Sequence, residues 1–169
     1  MRTDRIGYTM IETVIVMLVM GILAAVIAPK YRATAARYRV EAAARRLVAD
    51  LSYVRTRAMM KGPVAEELVD FYPASEEYEL VGSSDLNLAG NAYRVDFSKT
   101  AYPVDLVSAT FVNTDGNTNN QTVKFDVYGF PCSGTSPVAP LVSGEIVLAA
   151  GSETRTVVIH PLTGKASVQ

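Results

Sequence analysis

GYTMIETVIVMLVMGILAAVIAPK, residues 7–30, decides the fold. From Thr13 to Pro29 it carries no charge, and Val, Ile, Leu, Met and Ala fill it. About 20 apolar residues in helical form span a bilayer core. At 1.5 Å per residue, Tyr8 to Pro29 reaches roughly 33 Å, which is enough. One residue breaks the pattern. Glu12 is an acid near the start of the run, where an ionised carboxylate is costly and is read first as functional.

Around this run the chain has a short basic leader with Arg2 and Arg5, ending in Gly7. A basic leader closed by Gly, an aromatic residue next, and Glu at the fifth place after the Gly resembles the class III signal peptide of type IV pilins and type II secretion pseudopilins. The resemblance implies that a prepilin peptidase cuts between Gly7 and Tyr8 and methylates the new amino group at Tyr8. It also implies that Glu12 guides assembly, and Pro29 matches a Pro common at the end of the family's membrane helix. Tyr8 stands where the family usually has Phe, and Met10 where it has Leu; both keep size and polarity. Two plainer readings compete. An ordinary secretory signal peptide would be cut near Ala28, but Pro29 would follow the cut and Glu12 would interrupt the apolar core. An uncleaved membrane anchor is the other. Charge counting favours a cytoplasmic C-terminal side, since Lys30, Arg32, Arg37 and Arg39 follow the span closely. The resemblance implies the opposite, a single inner-membrane pass with the head in the periplasm.

Beyond Pro29 the helical pattern resumes, and a Pro can kink a helix without ending it. Val40, Ala44, Leu47, Leu51, Val54 and Ala58 step by three and four, one apolar stripe on a helix. Arg45, Arg46, Arg55 and Arg57 fall off that line and are expected to face water. Gly62-Pro63 is a stop signal. The helix is therefore predicted from about Tyr8 to Lys61, the first half suited to lipid or other helices, the second to lying on a sheet.

Residues 62–169 read as short strands: Val69–Tyr72, Tyr78–Val81, Tyr93–Phe97, Val104–Val112, Thr122–Val127, Glu145–Ala149, Thr154–Ile159 and Lys165–Val168. Gly82–Asp85, Asn113–Gln121, Cys132–Pro140 and Leu162–Gly164 read as turns or loops. The predicted fold is α+β: a long N-terminal helix, part membrane and part amphipathic, packed on an antiparallel β-sheet head, pilin-like. Its divisions are a cleaved leader 1–7, a membrane and assembly half 8–29, an amphipathic half 30–61 and a β-rich head 62–169. The helix end ADLSYVRTRAMMKG, the run VKFDVYG (123–129), the strand EIVL (145–148) and RTVVIHPLTG (155–164) are together similar to the GspH/FimT group of minor pilins and pseudopilins. That likeness implies a subunit that helps initiate or cap a type II secretion pseudopilus or a type IV pilus. Its partners would be other pilins or pseudopilins, the prepilin peptidase and the inner membrane.

Charge is unevenly distributed. Residues 30–61 hold nine Lys or Arg against Glu41 and Asp50, a net of +7, whereas residues 62–169 have a net of −8. Blocks like these usually keep faces solvated. Some FimT-like pilins bind DNA through a basic tail, but here residues 164–169 contain a single Lys on an acidic head. DNA affinity needs clustered Lys and Arg, so DNA is not an expected partner.

Catalytic chemistry has little to stand on. The single histidine, His160, sits before a Pro at a strand end, without a nucleophile motif nearby. No enzyme activity and no cofactor are expected. The stretch from Asn113 to Asn120 is rich in oxygen ligands but has one acid, Asp115, where calcium sites gather several; it reads as a turn, and no metal is expected. Cys132 is the only cysteine, so no internal disulfide can form, and a small buried or half-buried thiol is its expected state.

Overall fold

The structure, a computed structural model, describes residues 9–61, 67–84, 92–119, 121–134 and 139–169, apart from the side chains of residues 28 and 29. Two compact units emerge, Met1–Ala35 and Ala36–Gln169, and helix α1 (Met10–Lys61) contributes to both.

In the first unit, every described side chain from Thr9 to Ile27 is exposed. Val and Ile are poor helix formers in water. Here they sit in a helix whose apolar surface runs all the way round, the form in which a backbone in lipid satisfies its own polar groups. The stretch is long and apolar enough to cross a membrane.

The second unit is the rest of α1 on an antiparallel sheet. All six residues of the predicted stripe are buried: Val40, Ala44, Leu47, Leu51, Val54 and Ala58. They share a core with strand residues including Phe71, Tyr78, Phe111, Val123, Ile146 and Val157. Among the described residues there are ten strands: β1 (Glu67–Tyr72), β2 (Glu77–Ser84), β3 (Ala92–Asp96), β4 (Asp105–Asn113), β5 (Thr118–Asn119), β6 (Thr122–Phe125), β7 (Pro131–Ser133), β8 (Ala139–Ala150), β9 (Glu153–Ile159) and β10 (Ala166–Val168). They run in the order β10-β9-β8-β7-β6-β1-β2-β3, with β4 on β8 and β5 on β4. Strand β8 joins the two parts of the sheet. Its first residues pair with β7 through Cys132↔Pro140. Its remainder pairs with β9 and with β4. Alternation does the inward sorting. Glu67, Val69 and Phe71 are the buried positions of β1, and their neighbours are half-buried.

Several loop expectations are corrected. The residues read as a turn at Gly82 continue strand β2 to Ser84 through a register shift. Gly82 has φ +77, a value that Gly accepts at little cost, and the shift changes which side chains face inward. Tyr78, Leu80 and then Ser83 are buried, while Gly82 is not. Within the stretch read as a loop from Asn113, the residues Thr118–Asn119 form β5, which pairs back on β4 through Phe111↔Asn119. Cys132 lies in strand β7, and the predicted Glu145–Ala149 strand falls in the second half of the twelve-residue β8. Gly62-Pro63, Asp85, Asn120 and residues 135–138 lie outside the described residues.

Candidate functional site

Gly7 and Tyr8, where the resemblance implies processing, lie outside the described residues, as does the side chain of Pro29, whose backbone belongs to α1. Glu12 is described. It stands exposed in the first turn of α1. Its backbone N–H donates to Thr9 Oγ1 at 3.3 Å and to Thr9 O at 3.1 Å. Thr9 is therefore the N-cap, and Glu12 occupies the third helical position. Thr9-Met-Ile-Glu12 has the spacing of a capping box, in which that Glu returns a bond to the N-cap backbone. A carboxylate there also meets the positive end of the helix dipole. The sequence reading did not use this S/T-x-x-E spacing, although it was present.

After the apolar run, Lys30, Tyr31 and Arg32 are exposed, and Arg37, Tyr38 and Arg39 are exposed in turn.

Within the second unit, polar contacts flank the buried stripe and fasten α1 to the sheet. Glu67 takes the inward position at the start of β1 and is 1% exposed. Lys61 Nζ lies 2.6 Å from its Oε1, and Arg57 Nε 3.3 Å from its Oε2. Arg57 also donates to Ser83 Oγ and to Gly82 O, so the register shift in β2 is what brings these acceptors to the helix. Arg55 Nε donates to Gly129 O at 3.0 Å. Arg55 and Arg57 thus do not face water as the sequence suggested. Each is half-buried, because acceptors distant in sequence lie within its reach. Arg45 does stay exposed, paired with Glu41 at 2.8 Å, and Glu41 also receives Arg155 Nε at 3.1 Å.

Asp50 is the most buried carboxylate of the helix after the stripe turns inward. Tyr78 Oη donates to its Oδ2, and Tyr93 Oη lies 3.3 Å from the same oxygen. Burial pushes the Asp50 carboxyl above its usual range, against the pull of Tyr78, Arg46 and Tyr93. Burial and then the Asp50 charge push the Tyr78 phenol up in turn. On the sheet's outer surface the Lys99 ammonium and Ser98 hold Asp96 at about 2. A cleft of about 180 Å³ opens beside Arg46, lined mainly by Ala42, Ala43, Phe97, Ala101 and Tyr102.

The oxygen-rich hairpin uses its oxygens locally. Asn113 Oδ1 accepts from the N–H of Asp115 at 3.2 Å and of Asn117 at 2.9 Å. Asn119 Oδ1 accepts from Gln121 and Thr122. Among the described residues no three His, Cys, Asp or Glu side chains gather in a way that could hold a metal ion. His160 is exposed, and its carbonyl accepts the Gly164 N–H at 2.8 Å to close the turn between β9 and β10. Cys132 is half-buried, and burial raises its thiol pKa. No protein-family model matches the chain, and neither a curated protein nor a solved structure matches it.

Proposed function

We propose that this chain is a minor pilin or pseudopilin subunit of the GspH/FimT type. It is made as a membrane precursor, cut after Gly7, methylated at Tyr8 and drawn by α1 into a short filament, which it helps to begin or cap. The reading covers both machines that use such subunits, the type II secretion pseudopilus and the type IV pilus. One observation carries it: a basic leader ending in Gly7, with Glu12 five places on, precedes an uncharged run that continues into an amphipathic helix on an antiparallel sheet. The head then stays in the periplasm and meets other subunits.

In this scheme the peptidase grips the backbone closely at Gly7, where no side chain intrudes. Cleavage creates a positive amino group at Tyr8, and methylation keeps its charge. Glu12 pairs with that group on an adjacent subunit, which sets the helices in register. A buried carboxylate left without such a partner costs about 3–5 kcal/mol. The test is the mass of the protein extracted from membranes. The expected mature chain begins at methylated Tyr8, and replacing Gly7 by a bulky residue leaves the precursor uncut. A wild-type chain that begins at Pro29 or retains Met1 overturns the proposal.

A further inference from the structure

The apolar run ends directly in Lys30-Tyr31-Arg32, and the sequence repeats basic–Tyr–basic at Arg37-Tyr38-Arg39, seven residues on. All six side chains are exposed, Tyr31 at 74% and Tyr38 at 72%. No acid occurs between Glu12 and Glu41. Among the described residues, none of these four cations has a carboxylate within 4 Å, although Arg45, Arg46, Arg57 and Arg155 all do. A solvated helix face usually mixes signs, with Glu and Lys at a spacing of four. This one carries a single sign and two large aromatic rings.

We infer that Lys30-Tyr31-Arg32 is a binding site for anionic phospholipid headgroups, with the second triplet supplying the same chemistry further along the chain. The inference rests on the reading of Thr13–Pro29 as a membrane span. Lys30 follows the last apolar residue at once, and three residues rise only about 4.5 Å along a helix. The polar layer on each side of a bilayer is about 5–7 Å thick, so the triplet falls within it. Tyr is one of the two residues that favour this depth, its ring in the acyl boundary and its hydroxyl among the headgroups. Lys and Arg on either side of it offer ammonium and guanidinium groups to phosphate, and Arg does so in two-pronged fashion. One cation at such a surface is worth roughly fivefold in binding, an attraction that falls off within about 10 Å and weakens with salt. Nucleic acid also answers to cations interleaved with aromatic rings. The position directly after the span favours lipid, because headgroups already fill that layer.

The chain contains no Trp, so Tyr31→Trp in the full-length protein gives one fluorescent reporter inside the triplet. The variant is reconstituted into vesicles of phosphatidylcholine with one part in three phosphatidylglycerol. Bromine, which quenches Trp on contact, is carried by an equal amount of either lipid. The expected result is quenching that corresponds to a phosphatidylglycerol-to-phosphatidylcholine ratio around the reporter about fivefold above that of the bulk bilayer at low salt. The enrichment should shrink as salt is added and vanish when Lys30→Gln and Arg32→Gln are introduced. Arg37→Gln with Arg39→Gln should lower it less. Equal quenching by the two lipids overturns the inference while leaving the span in place. No quenching by either lipid removes the span, and the inference with it. Loss of the enrichment on adding duplex DNA at matched phosphate concentration assigns the triplet to nucleic acid and overturns the inference.

Discussion

Gly164→Ala should be among the most damaging single-methyl changes in the head. Gly164 has φ +65, a conformation that costs an L-residue roughly 1–2 kcal/mol. The new Cβ would also lie 2.2 Å from Gly129 O and 3.1 Å from Arg55 Nε. The first of these contacts is with backbone, which cannot swing aside as a side chain does. The turn must therefore move away from Gly129, whose carbonyl holds Arg55 of the helix at 3.0 Å. Losing a hydrogen bond to a charged group adds about 1.5–3 kcal/mol. The total is about 3–5 kcal/mol, a large part of the 5–15 kcal/mol typical of a whole domain. Gly151→Ala is the control. Its φ is +64 and nothing lies within 4 Å of the added Cβ, so it should cost only the 1–2 kcal/mol of backbone strain. A fragment of residues 30–169 provides the assay, because the unit Ala36–Gln169 is compact and contains the sheet that covers the stripe. The fragment should be soluble and monomeric and should melt cooperatively. At roughly 4 °C per kcal/mol, Gly151→Ala should lower Tm by about 4–8 °C and Gly164→Ala by about 12–20 °C. Equal losses at the two positions would show that the junction of Gly164, Gly129 and Arg55 carries no energy beyond local strain.

Glu12 can be tested for its two uses. Glu12→Ala should still enter the membrane and be cut after Gly7, yet crosslink poorly to neighbouring subunits. Glu12→Gln retains an acceptor for the capping box but loses the charge, so it should fail like Ala; wild-type crosslinking by Gln would make Glu12 a cap and dismiss the pairing. Asp50 should give stability a negative slope with pH. Its carboxyl is raised by burial from an ordinary 3.8, so the folded chain keeps a proton that the unfolded chain has released. The contribution is full below pH 3.8 and declines as pH rises through the folded pKa. Urea midpoints of the fragment, followed from acid to neutral pH for wild type and Asp50→Asn, should converge at low pH and separate upward in favour of Asn. Asp96, held at about 2, acts the other way in both proteins, its contribution being present above 3.8 and lost as pH falls towards 2.

The helix was legible because its signals are local. A period of three and four placed Val40, Leu47 and Val54 on the buried face, and each is fully buried. Alternation located most strands for the same reason. What failed was set by distant partners or by composition. Gly82-Ser-Ser has the composition of a turn, yet it continues β2 because a positive φ at Gly82 absorbs the register shift. Pro131–Ser133 holds too few β-branched residues to signal a strand and becomes one by pairing with β6 and β8. Arg55 and Arg57 look like solvent-facing charges on a helical wheel. Only the fold brings Gly129 O and Glu67 to them. Alternation with Val69 and Phe71 does put Glu67 on the inner face of β1, but the cations that neutralise it there, Lys61 and Arg57, come from the helix. The strand order, with β6 between β1 and β7, has no local signal at all.

The buried stripe of α1 also has a history in time. Its residues leave the ribosome before any of their cover does, and that cover comes from strands spread from β1 to β9. Roughly a hundred residues separate the end of the stripe at Ala58 from the last strands that close over it. At about 5–20 residues per second, that is some 5–20 s of synthesis with an uncovered apolar face on a finished helix. Helices form in about a microsecond, so the wait is for the sheet. A newborn chain therefore passes through a long interval in which its most adhesive surface is complete and its shield is not. The Arg and Lys residues beside the stripe are likewise made first, before Glu67 and Gly129, which receive them in the folded head.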